Sequence, residues 1–151
     1  MKLYLAQHGE AKSKDQDPER PLTNRGIEDV RKVANFVAGS KPTIREIRHS
    51  GKLRAKQTAE IFADHLQSLN VVAVEGMAPL DDVEPVAEAL ANETKELMLV
   101  GHLPFLNRLT SKLLTGDSNA SIVRFRQGGI VCLTLDDGNW KICWIITPEL
   151  V

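Results

Sequence analysis

The chain of 151 residues has only two cysteines, a net charge of -1 and no apolar run of bilayer length. Each shortage narrows the field. A near-neutral chain lacks the basic footprint of a nucleic-acid binder, so no nucleic-acid partner is expected. A membrane-spanning helix needs about 20 apolar residues in succession, and nothing here approaches that. Met1 to Leu5 is too short and too soon interrupted to be a signal peptide, which makes a cytoplasmic location the expectation. Neither a P-loop nor a Gly-x-Gly-x-x-Gly run is present, which argues against nucleotide binding. The four histidines form no i, i+4 pair and no Cys/His cluster. A metal hydrolase is therefore disfavoured, and neither a metal nor another cofactor is expected. Repeats, low-complexity tracts and linkers are also missing. What remains is an ordinary globular composition, 42% hydrophobic and 26% charged, at a length that fits one domain over residues 1–151.

The two cysteines flank Asp137-Gly138, a two-residue hairpin signal. Asp136 then faces Asn139, and counting outward sets Cys132 opposite Cys143. That register is a hydrogen-bonded pair with Cα atoms about 5.5 Å apart, close enough for a disulfide. A reducing compartment argues instead for two free thiols.

Elsewhere strands and helices alternate. Lys2 to Ala6 reads as a buried strand running into His8-Gly9. A polar loop with two prolines covers Ser13 to Pro21. Thr23 opens a helix with Ile27, Val30, Ala34 and Val37 on one face, closed by Gly39. Ile44 to Ser50 fits a strand, broken by Gly51-Lys52, and Ala55, Ala59, Phe62 and Leu66 mark a second helix. Val71 to Val74 is a short β-branched run. Val83, Val86, Ala87 and Leu90 suggest a third helix. Glu96 to Val100 is a buried strand ending at Gly101-His102. Pro104 suits the first turn of the next helix, which carries Leu106, Leu109 and Leu113 and ends at Gly116. The hairpin, Ile130 to Leu135 with Lys141 to Ile146, completes the chain. This order predicts an α/β fold, a three-layer α/β/α sandwich with a mostly parallel central sheet and an antiparallel edge.

Two strands thus end in a histidine beside a glycine, His8-Gly9 and Gly101-His102. Ligands of open α/β sheets gather beyond the carboxyl ends of the strands, so both histidines are expected at that rim. Arg20 lies in the loop before the first helix, and Arg54 in the first turn of the second. A helix N-terminus with a guanidinium beside it favours an anion. Two histidines and two arginines around one pocket suit a phosphate, with Arg holding the oxygens and His serving as nucleophile or acid. His49 and His65 read as ordinary core or surface residues.

Four blocks carry a family resemblance: Gln7-His8-Gly9-Glu10; Arg20-Pro21-Leu22-Thr23 with Gly26; Ser50 to Ala59; and Val100-Gly101-His102-Leu103-Pro104. In this order they resemble the histidine phosphatase superfamily. The short length and the Arg54-Ala55-x-Gln57-Thr58-Ala59 wording most resemble its SixA-type phosphohistidine phosphatases. The resemblance implies that His8 is the nucleophile and becomes phosphorylated, with Arg20, Arg54 and His102 forming the phosphate pocket. It implies no metal, because the arginines supply the positive charge. The attacking nitrogen of His8 must be unprotonated, which calls for a partner on the other ring nitrogen that the sequence does not identify.

One position departs from the family pattern. Gln7 stands where an arginine usually precedes the nucleophile, which replaces a charge-assisted hydrogen bond by a neutral one at a cost of about 1–2 kcal/mol. The usual general acid is also missing from any matched motif. Asp81 and Asp82 are the candidates, each with a competing reading as a loop carboxylate or helix cap. A phosphohistidine substrate has less need of an acid, since protonated imidazole leaves phosphorus readily. Short loops and no evident lid favour a substrate side chain presented by another protein, so the expected partner is a phosphohistidine-bearing phosphotransfer or phosphocarrier protein, besides phosphate itself. The alternative is a phosphate- or phosphohistidine-binding module with little turnover, a consequence of Gln7.

Overall fold

The computed structural model describes residues 1–68 and 70–151. Six strands form one sheet: β1 (Lys2–Gln7), β2 (Glu46–His49), β3 (Val71–Ala73), β4 (Leu97–Gly101), β5 (Ile130–Asp136) and β6 (Asn139–Ile146). Four helices accompany them: α1 (Asn24–Ala38), α2 (Leu53–Leu66), α3 (Glu84–Ala91) and α4 (Phe105–Thr115). The strand order is β3-β2-β4-β1-β5-β6, with β1 to β4 mutually parallel and β5 antiparallel to both its neighbours. The α/β/α architecture expected from the alternation is the one observed.

Two apolar layers explain why the sheet is covered on both sides. Successive residues of β1 point to opposite faces. Tyr4 and Ala6 meet Val30, Val33, Ala34 and Val37 of α1 and Ala55, Ala59, Phe62 and Leu66 of α2. Leu3 and Leu5 meet Leu90 of α3 and Leu106 and Leu109 of α4. β1 and β4 are therefore buried on both faces, which accounts for their unbroken apolar sequence.

The helices begin and end where the local chemistry allows. Thr23 caps α1 by accepting from the Gly26 amide at 3.0 Å, and its hydroxyl donates to Glu10 Oε2 at 2.6 Å. Gly26 lets the loop after His8 lie directly on this helix start, since a Cβ there would fall 2.2 Å from the Glu10 carbonyl oxygen. Gly116, at φ 82°, closes α4 in the left-handed region that glycine enters freely. Pro104 sits at the cap of α4, one residue before the first turn.

The hairpin departs from simple counting. Asp136 does face Asn139, but a β-bulge between Cys132 and Leu133 shifts the register. Cys132 pairs with Trp144 rather than Cys143, and Cys143 occupies the extra position. The two thiols are free, Cys132 buried and Cys143 exposed. The reason lies in the two tryptophans. Trp140 packs into the α3/α4 layer, whereas Trp144 packs in the opposite layer, its ring 5.9 Å from that of Tyr4. Residues four apart on a regular strand share a face, so one inserted residue is needed to send them to opposite faces.

Candidate active site

α1 and α2 cover one face, α3 and α4 the other, so the chain leaves β1 and β4 toward opposite sides of the sheet. These two strands are neighbours, and a crevice opens at their carboxyl ends, where open α/β sheets bind ligands. The first residue beyond β1 is His8 and the first beyond β4 is His102. Pairing continues to the rim, with the His8 amide donating to the Gly101 carbonyl at 3.0 Å. The two rings lie 5.0 Å apart, centroid to centroid, tilted by 53°.

The His8 ring is held at one nitrogen. Its Nδ1 lies 2.7 Å from the Gly9 carbonyl oxygen. A carbonyl only accepts, so Nδ1 carries the proton and Nε2 keeps its lone pair. This is the tautomer-fixing partner that a nucleophilic His8 requires. The Gly9 amide in turn donates to Thr58 Oγ1 at 3.0 Å, and that hydroxyl donates to the Arg54 carbonyl at 2.8 Å. Thr58 thereby fastens the histidine loop to the first turn of α2. It is completely buried, and its place between Ala55 and Phe62 on the apolar stripe of α2 is the sign of such a role that the sequence carries.

The two arginines come from different supports. Arg54 is the second residue of α2, whose start has no side-chain cap and so leaves N–H groups available. Arg54 Nε is buried without a partner. Arg20 sits in the loop before α1 at φ 51°, a backbone region unfavourable for a residue with a Cβ. Its Nε donates to the Lys12 carbonyl at 3.0 Å, which fixes the guanidinium in the loop. Arg20, Lys52 and Arg54 line one cavity of about 450 Å³. Gln7 borders a second cavity, of about 670 Å³, together with Glu10, Leu103, Arg126 and Gln127. The structure thus brings His8 and His102 together and Arg20 and Arg54 together in one cavity close enough for their charges to act on both rings, while Gln7, one residue inward on β1, borders another.

Asp81 and Asp82 are engaged locally. Asp81 Oδ2 accepts from the Ala78 amide at 2.8 Å, and Asp82 Oδ1 accepts from the Glu84 amide at 3.0 Å at the start of α3. Pro79, two residues earlier, reaches the Arg20–Arg54 cavity, but neither carboxylate bonds to any of the pocket residues. His49 closes β2 by accepting from the Gly51 amide, and His65 bonds the Ile61 carbonyl within α2.

The electrostatics are one-sided. Burial pushes the His8 imidazolium down to about 4, with Arg54 and Arg20 adding to the fall and the Gly9 carbonyl opposing it. His102 is pushed down to about 3, first by burial and then by His8, Arg54, Lys52 and Arg20. Burial and Arg20 also lower Arg54. The charges that shift the two rings are all positive, which is the field of an anion receptor. Among the described residues, no group of three or more His, Cys, Asp or Glu side chains gathers as a metal site would require.

These shifts set a pH dependence. Both folded values lie below the ordinary 6.5, so the unfolded chain takes up protons first as the pH falls. The stability contributed by neutral His8 and His102 is complete above pH 6.5 and is lost as the pH drops through about 4 and about 3. In an NMR titration of the phosphate-free protein, both rings are expected to remain neutral at about pH 5.5, where an ordinary histidine is mostly charged. A midpoint near 6.5 for either ring would show that it is not desolvated.

Comparison with known proteins agrees with this geometry. The sequence profile of the histidine phosphatase superfamily (branch 1) matches residues 3–81. Phosphohistidine phosphatase SixA of Escherichia coli K12 is 33% identical over 156 aligned positions, covering 98% of this chain and 94% of that protein. The structure of the protein histidine phosphatase SixA complexed with tungstate superposes with a TM-score of 0.87 at 30% identity, covering 99% of both chains. A phosphoserine phosphatase from Entamoeba histolytica, in complex with 3-phosphoglyceric acid, shares the fold at a TM-score of 0.78 and 20% identity, again over 99% of both chains. With two strand-end histidines and two arginines at the switch point of the sheet, and with these relatives spanning nearly its whole length, the chain belongs to the histidine phosphatase superfamily.

Proposed function

We propose that this chain is a phosphohistidine phosphatase that works through a phosphorylated His8. The observation that carries the reading is the His8 ring itself: Nδ1 committed to the Gly9 carbonyl, Nε2 free, and the charges that shift it all positive. The phosphohistidine substrate is taken from the likeness to SixA, and the whole of residues 1–151 acts as one catalytic domain.

The reaction has two displacements. In the first, the Nε2 lone pair of His8 attacks phosphorus, the phosphorus–nitrogen bond of the substrate breaks, and the departing imidazole takes a proton from water. In the second, a water oxygen attacks the same phosphorus, the bond to His8 breaks with its electron pair returning to Nε2, the proton shed by the water neutralises the hydroxide left by the first step, and inorganic phosphate leaves. Arg20, Arg54 and His102 hold the phosphoryl oxygens through both transfers, where donors fixed in advance contribute most. The arginines meet the charge requirement, so the mechanism uses neither a metal nor another cofactor, and turnover is expected to survive a chelator. Asp81 and Asp82 are given no acid role, because neither lines the Arg20–Arg54 cavity or bonds to His8, His102, Arg20 or Arg54. No helix among the described residues is long and apolar enough to cross a membrane. The proposed setting is the cytoplasm, and the proposed partner is a phosphotransfer or phosphocarrier protein.

The test is release of phosphate from a histidine-phosphorylated phosphocarrier or phosphotransfer domain, run beside a small phosphate ester. Faster release from the phosphoprotein supports the reading. Faster turnover of the small ester would move the assignment to small-molecule substrates, and phosphate binding without turnover would make the chain a binding module.

Gln7 offers a graded check. Its amide donates but carries no charge, and it borders the cavity of Glu10, Leu103, Arg126 and Gln127 beside the Arg20–Arg54 one. Gln7→Arg is expected to tighten inorganic phosphate by roughly ten-fold while leaving a working enzyme. Unchanged affinity, measured by calorimetry, would place residue 7 outside the pocket.

A further inference from the structure

The bonds described so far settle His8 but leave His102 with an open question. His102 Nε2 lies 2.6 Å from Ser50 Oγ. Its other nitrogen, Nδ1, is buried and has no partner. A neutral imidazole has one proton, and two arrangements are possible. With the proton on Nε2, the ring donates to Ser50 and Nδ1 is left as a bare lone pair in a site built for anions. With the proton on Nδ1, Ser50 donates to Nε2 and the ring keeps a buried N–H for which the protein itself supplies no acceptor.

The surroundings of Ser50 choose between them. The Lys52 amide donates toward Ser50 Oγ at 3.4 Å and takes up one of its two lone pairs, so the choice rests on where the hydroxyl hydrogen goes. The hydroxyl proton finds no acceptor other than His102 Nε2 among the described residues. The turn is also fixed from behind, because His49 Nδ1 accepts from the Gly51 amide at 3.1 Å. Ser50 follows β2, and β2 lies beside β4, with His49 opposite Val100. Three neighbouring strands, β2, β4 and β1, therefore each deliver one member of a row, Ser50, His102 and His8, at the same end of the sheet.

We propose that Ser50 is a positioning residue: its hydroxyl donates to His102 Nε2 and thereby places the single proton of that ring on Nδ1, where it is offered to a phosphoryl oxygen. The consequence for turnover rests on the phosphatase reading above, whereas the tautomer does not. No proton changes owner in this role. The hydroxyl keeps its hydrogen, and the Nδ1–H bond to the phosphoryl oxygen strengthens as charge builds up there. Such a donor acts mainly in the transition state, so its loss falls on kcat more than on KM.

The experiment compares wild type, Ser50→Ala and Ser50→Thr. Nitrogen-resolved NMR of the imidazoles is expected to show His102 protonated at Nδ1 in the wild type and in Ser50→Thr, and wholly or partly at Nε2 in Ser50→Ala. With a phosphohistidine protein as substrate, Ser50→Ala is expected to lower kcat by roughly 10- to 100-fold with KM within about three-fold, and Ser50→Thr to recover most of the loss. The idea is overturned by a wild-type His102 protonated at Nε2, or by a Ser50→Ala protein that keeps both the wild-type tautomer and its kcat. A tautomer that switches as expected in a wild-type protein without turnover would uphold the Ser50 contact and remove the phosphatase reading instead.

Discussion

Replacing His8 with alanine is expected to lower phosphate release by about 10⁴-fold or more, the scale of losing a covalent nucleophile, and to leave no phosphate on the protein. Alanine removes the Nε2 lone pair held at the mouth of β1. His102 is 5.0 Å away by ring centroids, but its Nε2 is engaged by Ser50. A quenched reaction with a radiolabelled phosphodonor checks this directly. Wild type should carry label that is lost in acid and kept in alkali, as a nitrogen–phosphorus bond requires, and the His8→Ala protein should carry none. Label retained in the variant would assign the nucleophile elsewhere. Binding is a separate matter. Arg20 and Arg54 remain in the variant, so affinity for inorganic phosphate should fall far less than turnover.

Arg54→Ala should show the opposite division between activity and stability. The guanidinium sits in the first turn of a helix whose start has no side-chain cap, and its removal takes away both charge and hydrogen bonds to the phosphoryl oxygens. A fall in kcat/KM of about 10²- to 10³-fold is expected, comparable to deleting a preorganised donor from an oxyanion hole. In the absence of phosphate the same substitution should raise the melting temperature. Arg54 Nε is buried without a partner, and burial together with Arg20 already disfavours its charge. Phosphate reverses the order. At about a hundred times its dissociation constant, a ligand bound only by the native state stabilises it by about 2.7 kcal/mol. Wild type should gain that increment and the variant should not. A variant that melts lower than wild type without phosphate would mean that Arg54 supports the fold rather than strains it.

Much of the site was legible because each of its parts has a local signature. The histidines follow apolar runs that can only be buried strands, and Gly9 and Gly101 mark the points where the chain turns. The buried face of α2 emerged from Ala55, Ala59, Phe62 and Leu66, all of which lie in the core. What the sequence could not reveal were bonds made by backbone atoms and contacts across the sheet. The Gly9 carbonyl that fixes His8 is a backbone atom and leaves no trace in residue type. Ser50 and His102 are 52 positions apart, and only the order β2-β4-β1 makes them neighbours. The hairpin failed for a related reason. Counting from Asp137-Gly138 assumes an unbroken ladder, whereas the opposed demands of Trp140 and Trp144 are met by inserting Cys143. Acidic loop residues are ambiguous in sequence, and Asp81 and Asp82 each accept one local amide, from Ala78 and Glu84, with one carboxylate oxygen.

The bulge at Cys143 has a meaning for the protein in a crowded solution. An open sheet has two outer edges, and each presents unpaired N–H and C=O groups to any passing chain. At one edge β3 is only three residues long, too short to template much pairing. At the other, β6 runs for eight residues and would be the more dangerous invitation. The inserted residue breaks its outward rhythm near the middle, twists the strand and throws a would-be partner out of step, while Lys141 places a charge just before the break. The residue that lets two tryptophans reach opposite layers therefore also makes the long edge a poor template for self-association.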